Sequence, residues 1–376
     1  MRFLITIFLV ILFAVAVAAQ TDPKPSPTPK TDEQEQRVRV FTEEVRLPVI
    51  ATDAGGHYDA ALEANEVLVL EDGEPQQIRS IQHLATNVLL LLDVGNTLGL
   101  KDTNLTRALA MRVIGSLQSD DRIALMQFAT RPELLQGWTT DRAALAKILA
   151  PKGKLIAGKN SRLTDAIAAA SAQFKNTPPG TRHIVLITDG VEAPGSRISI
   201  ADAVKQLNSV QVTVHVISYT ALARTTLQAN NKVVHGGDGV QRDGRPDSNP
   251  VANGDPTLPP GATRTPVFKI GSIDTDVAMR RKKKEYERAT KDAEEKLAKI
   301  AEDSGGRIIV SETPENLLAQ ADSITRDIGA QYVITYRPKR PLSAAKPGEY
   351  RRVEVASRRA GLYLRSRKGY IVPAQE

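Results

Sequence analysis

Two apolar runs, Asn87-Val-Leu-Leu-Leu-Leu-Asp93 and His183-Ile-Val-Leu-Ile-Thr-Asp189-Gly190, constrain this chain more than any other feature. Neither alternates with polar residues, and each stops at an aspartate followed by turn-forming residues. Unbroken apolarity over this length fits a strand covered by helices on both faces, the usual setting of a parallel sheet. Ligands of open α/β sheets bind in the crevice at the carboxyl ends of strands. Asp93 and Asp189 are therefore the first site candidates.

The residues between and after the two runs repeat the same logic. From Thr103 to Ser119, the apolar positions Leu105, Ala108, Leu109, Val113, Ile114 and Leu117 mark one helix face. Arg122 to Phe128 reads as a strand, paired by Glu133 to Trp138, and Thr140 as the N-cap of a helix through Leu149. An Ala-rich helix from Thr164 to Phe174, a helix near Ser199 to Leu207 and a strand from Gln211 to Tyr219 follow. After a stretch rich in Asn, Gly, Asp and Pro, residues 223–276, expected as a disordered insertion, come a charged helix to Ser304, a strand at Arg307 to Val310 and a helix from Pro314 to Ile328. The prediction for residues 85–328 is an α/β domain, doubly wound around a mostly parallel sheet with helices on both faces.

The flanks differ. Met-Arg and then seventeen residues from Phe3 to Ala19, with Thr6 as the only polar member, form a secretory signal cleaved near Ala19. The rival is an uncleaved anchor. The expectation is an exported protein, periplasmic or extracellular. Residues 20–36 are a polar, Pro-rich linker that buries too little to fold. Residues 37–84 and 329–372 alternate as strands do; Asp72-Gly73 signals a hairpin and Pro48 an edge strand. They form either one small β unit of N- and C-terminal strands, with the α/β domain inserted, or two separate appendages.

The chain has no cysteine, which excludes disulfides and thiolate metal sites. Its formal charge of +7 concentrates between Arg337 and Tyr370, where eleven Lys or Arg face two Glu. Such a region fits an anionic envelope surface, or merely the solvated faces of strands. Nucleic acid is not an expected partner, given the expected export and an aromatic content of only 4%.

After Asp93 comes Val94-Gly95-Asn96-Thr97, and Ser161 lies four residues ahead of Asp165. With Asp189 these supply only oxygen ligands, the set preferred by a hard ion such as Mg²⁺ or Mn²⁺. Asn160 and Thr164 are adjacent oxygen donors that compete with Ser161. Asp165 reads as structural, an acid in the first turn of its helix. From about Ala85 to Ile328 the sequence resembles the von Willebrand factor A-type domain. That family's metal-ion-dependent adhesion site uses Asp-x-Ser-x-Ser after the first strand, a Thr from a second loop and the Asp of Thr-Asp-Gly. The resemblance implies Asp93, Thr97, Ser161 and Asp189 as the metal set, with Gly95 standing where the first serine belongs. Restoring that hydroxyl through Gly95→Ser is expected to tighten binding. Asp121 to Phe128 looks like the family's second strand, and Leu297 to Gly306 like the helix entering its last. The flanking phrases Val69 to Gln77 and Tyr350 to Val355 look like an exported branch of that family described mainly from acidobacteria.

The resemblance implies a non-catalytic adhesion module whose ion accepts a carboxylate from a protein partner. Two alternatives stand beside it. One is a metal-free envelope scaffold. The other is a phosphatase of the haloacid-dehalogenase type, suggested by Asp93-Val-Gly-Asn-Thr97, but Gly95 removes the acid that would protonate the leaving group. The five histidines form no metal-ligand spacing, and His183 and His215 are expected to pack within strands.

Overall fold

A computed structural model describes residues 43–95, 103–226, 277–346 and 348–372. The expected signal segment, the 20–36 linker, Thr97 and residues 227–276 lie outside these. The strands are β1 (Val45–Thr52), β2 (Val67–Glu71), β3 (Glu74–Pro75), β4 (Gln77–His83), β5 (Thr86–Asp93), β6 (Arg122–Phe128), β7 (Pro132–Thr139), β8 (Thr181–Thr188), β9 (Thr213–Ser218), β10 (Ile308–Val310), β11 (Gln331–Arg337), β12 (Tyr350–Ser357), β13 (Tyr363–Ser366) and β14 (Gly369–Ile371). The helices are α1 (Thr103–Ser116), α2 (Arg142–Leu149), α3 (Leu163–Gln173), α4 (Ile200–Ser209), α5 (Val277–Asp303) and α6 (Pro314–Gly329).

The central six-stranded sheet runs β10-β9-β8-β5-β6-β7. It is parallel apart from β7, which pairs antiparallel with β6. Every residue of β5 is buried, and the strand's period of two divides them between two cores. Val88, Leu90 and Leu92 meet Leu109 and Val113 of α1 and Leu317 and Ile324 of α6 on one face. Leu89 and Leu91 meet Ala166 and Ala170 of α3, Leu207 of α4 and Leu297 of α5 on the other. This two-sided burial is why neither apolar run alternates. The order reverses between β5 and β8, so the crevice of a doubly wound sheet falls there.

Some local readings need correction. The cap of α2 is Asp141, whose carboxylate accepts from the Ala144 amide at 2.9 Å, not Thr140; a carboxylate is the better acceptor for a helix start. Helical structure beginning at Thr220 continues through Thr226, so the first residues of the expected insertion belong to the α/β layer, where Ala223 packs on Tyr286. Pro48 is not on an edge strand, because β1 lies between β13 and β11. It is tolerated since pairing with β13 begins one residue later, at Val49. Asp72 and Gly73 both take positive φ, 50° and 86°, the two-residue hairpin turn that Asp-Gly favours.

Strands from the two flanks pair with each other. One antiparallel sheet runs β13-β1-β11-β4 and the other β14-β12-β2-β3. They share a core of Leu47, Val49, Val69, Ile334, Tyr336, Val353 and Tyr370. Inside it, the fully buried Arg351 donates to Glu71 at 2.9 Å and to the carbonyls of Arg340 and Pro341 at 2.7 and 3.0 Å. Tyr336 and Tyr370 both donate to the other Glu71 oxygen, at 2.7 and 2.9 Å. The basic C-terminal segment is largely met within the fold: Arg337, Arg340, Arg352, Arg359, Arg365 and Lys368 each approach a carboxylate. No helix among the described residues is long and apolar enough to cross a membrane.

Candidate functional site

β5 and β8 pair in register, Leu92 opposite Ile187, so the residues that end both strands emerge side by side. The Asp93 side chain is 1% exposed. Its Oδ1 accepts from Ser161 Oγ at 2.6 Å and from the Gly95 amide at 3.1 Å, and its Oδ2 accepts from Thr188 Oγ1 at 2.6 Å. Thr188 Oγ1 in turn accepts from the Gly190 amide at 2.8 Å, which fixes the turn after β8. Asp189 Oδ1 accepts from the Val191 amide at 3.1 Å, and its Oδ2 accepts from the Tyr286 hydroxyl.

The loop before α3 delivers Ser161 because backbone bonds clamp it on both sides. Gly158 donates to the Val94 carbonyl at 2.8 Å, Arg162 to that of Ala129 at 2.9 Å, and Ala193 to that of Ser161 at 2.7 Å. Of the neighbouring oxygen donors, Thr164 faces Glu192, to which its hydroxyl donates at 3.4 Å and its amide at 3.1 Å. Asp165 accepts from the amides of Arg197 and Ile198 at 2.9 and 3.1 Å, so it pins the loop before α4. The structure thus brings Asp93, Ser161 and Asp189 to one edge and leaves Asp165 out. Thr97 lies outside the described residues.

Two glycines are sterically required. A Cβ on Gly95 would lie 2.4 Å from the Asn160 carbonyl oxygen and 2.3 Å from Ser161 Oγ, distances real Cβ atoms do not tolerate. The geometry therefore weighs against the expected gain from Gly95→Ser: a serine there requires the loop that carries Ser161 to shift. Gly190 has φ of 67°, and a Cβ there would lie 2.5 Å from Leu297 of α5. The Gly of Thr-Asp-Gly lets α5 pack directly on the turn.

Sequence reasoning missed three members of this edge. Thr188 was visible only as part of the strand. Tyr219 donates to the Asp93 carbonyl at 3.3 Å, and Tyr286 reaches Asp189 from α5. A single aromatic following Arg280-Arg-Lys-Lys-Lys284 was the available signal, since a tyrosine in a solvated charge run has no reason to be there. Burial, reinforced by the nearby aspartates, pushes both phenols above their ordinary range, so both remain neutral donors.

As a donor set, these residues suit a hard divalent cation. Ser161 gives its hydrogen to Asp93, and a hydroxyl oriented in this way presents oxygen lone pairs of the kind a cation takes as ligands. Two carboxylates supply the charge. Among the described residues no group of three or more His, Cys, Asp or Glu is placed to hold a metal, so any ion here depends on hydroxyl oxygens.

Residues 87–234 match the model of the von Willebrand factor type A domain. No curated protein matches the chain. Among solved structures, it is similar to a von Willebrand factor type A protein from Catenulispora acidiphila, 11% identical, covering 88% of this chain and 74% of that one with a TM-score of 0.42. It is also similar to an aerotolerance-related membrane protein from Bacteroides fragilis, 16% identical, covering 65% and 98% with a TM-score of 0.39. The conserved hypothetical protein BatB from Bacteroides thetaiotaomicron is 22% identical, covering 36% and 67% with a TM-score of 0.31.

Proposed function

Because residues 87–234 match the von Willebrand factor type A domain, we propose that this chain is a non-catalytic interaction module whose working edge is the carboxyl end of β5 and β8. In this reading Asp93, Ser161 and Asp189 hold Mg²⁺ or Mn²⁺, with Thr97 as a further hydroxyl. When bound, the ion supplies a Lewis-acidic point that accepts a carboxylate from a protein partner. The signal-like residues 2–19 support an exported module.

The observation that carries the proposal is the Ser161 to Asp93 hydrogen bond at 2.6 Å. It orients a hydroxyl from a separate loop against one strand-end carboxylate, beside a second. A catalytic reading gains no support, since the position where a phosphatase needs its acid is Gly95, which has no space for a side chain.

Calorimetric titration with Mg²⁺ and Mn²⁺ tests the proposal. We expect measurable binding to the native protein and loss of more than about tenfold in Asp189→Ala, since even indirect metal partners contribute that much. Equal affinity in the two proteins would dismiss the ion. The metal-free scaffold is the reading that would then remain, favoured by the fact that Asp93 is already hydrogen-bonded by Ser161, Thr188 and Gly95. Capture from envelope extract with Mg²⁺ against chelator separates the two at the level of the partner.

A further inference from the structure

α5 is longer than the sheet it covers. Its 27 residues span about 40 Å at 1.5 Å each, whereas the eight residues of β5 or β8 cover about 27 Å. Leu297, Ile300 and Ala301 pack in the core and Ala293 meets Gly190, so the turns before Ala293 project past the strand ends. Tyr286 sits on that projection, 7% exposed and packed on Val191 and Ala223, with its hydroxyl on Asp189 Oδ2.

This part of α5 also lines two cavities. One, of about 390 Å³, is lined by Gly190, Glu192, Ala289 and Ala293. The other, of about 460 Å³, is lined by Thr106, Tyr219, Ala223 and Tyr286. Neither is lined by Asp93, Ser161 or Asp189; the first reaches Gly190, the residue after Asp189, and the second reaches the two tyrosines that donate to Asp93 and Asp189.

We propose that Tyr286 is an internal stopper: its hydroxyl competes with a divalent ion for Asp189 and keeps α5 folded over the site, so that the ion binds only as the Tyr286 turn lifts. This rests on the ion-dependent reading above. The physical reason is competition: a phenolic hydrogen and a divalent cation seek the same carboxylate oxygen, and a buried, charge-assisted hydrogen bond is not surrendered without a penalty. Apparent ion affinity is reduced by the fraction of molecules in the lifted state.

The test uses the whole protein, wild type and Tyr286→Phe, with Mg²⁺ as the probe. The phenylalanine keeps the ring packing and removes only the hydroxyl. Mg²⁺ affinity by calorimetry is expected to rise roughly tenfold in Tyr286→Phe, the equivalent of about 1.4 kcal/mol. Hydrogen exchange of the α5 amides from Glu287 to Ala293 is expected to be faster in the variant without ion, and to quicken in the wild type on adding Mg²⁺. Unchanged exchange in the variant, or an Mg²⁺ affinity equal to or below the wild type's, overturns the stopper. Should neither protein bind Mg²⁺, the ion-dependent reading fails by itself and exchange alone decides: faster exchange in Tyr286→Phe upholds the latch on Asp189, and unchanged exchange removes it.

Discussion

Gly95 is a glycine because two chain segments touch there. Its amide donates to Asp93 at 3.1 Å, it bridges to Gly158, and its missing Cβ leaves room for the Asn160 carbonyl. Overpacking of this kind costs about 1–3 kcal/mol. We therefore expect Gly95→Ser to lower the unfolding free energy by that amount in urea titration and to weaken Mg²⁺ binding; a stable variant that binds more tightly would show that the Asn160 loop yields. At this scale the sequence was informative where chemistry coincides with a strand end. Asp93 and Asp189 stood out because a carboxylate closing an apolar run falls where a parallel sheet gathers its ligands, whereas Ser161 was reached only through the family resemblance, with Asn160 and Thr164 as competing donors. Tyr219 and Tyr286 did not stand out. Their partners lie 126 and 97 residues away, and only the final placement of a helix and a strand end brings them within reach.

At the scale of elements, β8 and β9 carry a consequence of their own register. Val185 pairs with His215 and His183 with Thr213, which leaves the two imidazoles stacked with centroids 5.5 Å apart and Nδ1 of His183 3.3 Å from Nε2 of His215. Burial holds His183 well below its ordinary value, with His215 adding to the effect. Burial, followed by Arg365 and Arg307, brings His215 down to about 3. Both rings thus stay neutral in the folded protein. Below about pH 6.5 the unfolded chain takes up protons that the folded one refuses, so stability falls as pH drops, down toward pH 3 for His215. The expected slope between pH 6 and 5 is about 1 kcal/mol per pH unit for each histidine kept neutral by the fold, read from urea unfolding. His215→Asn should show a shallower slope whatever its stability at neutral pH, and an equal slope would place the protons elsewhere. The alternation of strands and helices was legible in the sequence because two-sided burial leaves long apolar runs and one-sided burial leaves a helical stripe. Element ends were less so, as with Asp141 against Thr140, since a cap is settled by one hydrogen bond.

At the scale of the molecule, the flanking strands join segments that looked merely alike in sequence. Alternation marked both flanks as β, but nothing in a period of two says which strand pairs with which. The Arg351 and Glu71 pair ties the two flanks together inside a shared apolar core, and both members are buried, 0% and 3% exposed. Removing one partner of such a pair strands the other's charge, at about 3–5 kcal/mol. Arg351→Met should lose that much in denaturant unfolding, and adding Glu71→Leu should return part of it; a single variant as stable as the native chain would mean that Glu71 finds another cation.

That same interleaving sets an order in time. Glu71 waits for Arg351, 280 residues later, and β1 waits for β11 and β13. As the chain leaves the ribosome, β1, β2 and β4 emerge with open edges while the whole central layer is still being made, and the cost of closing so long a loop is met only at the end. Until β11, β12 and β13 are made, β1, β4 and one edge of β2 stay unpaired beside the growing α/β layer, an unprotected ribbon that only the last strands cover.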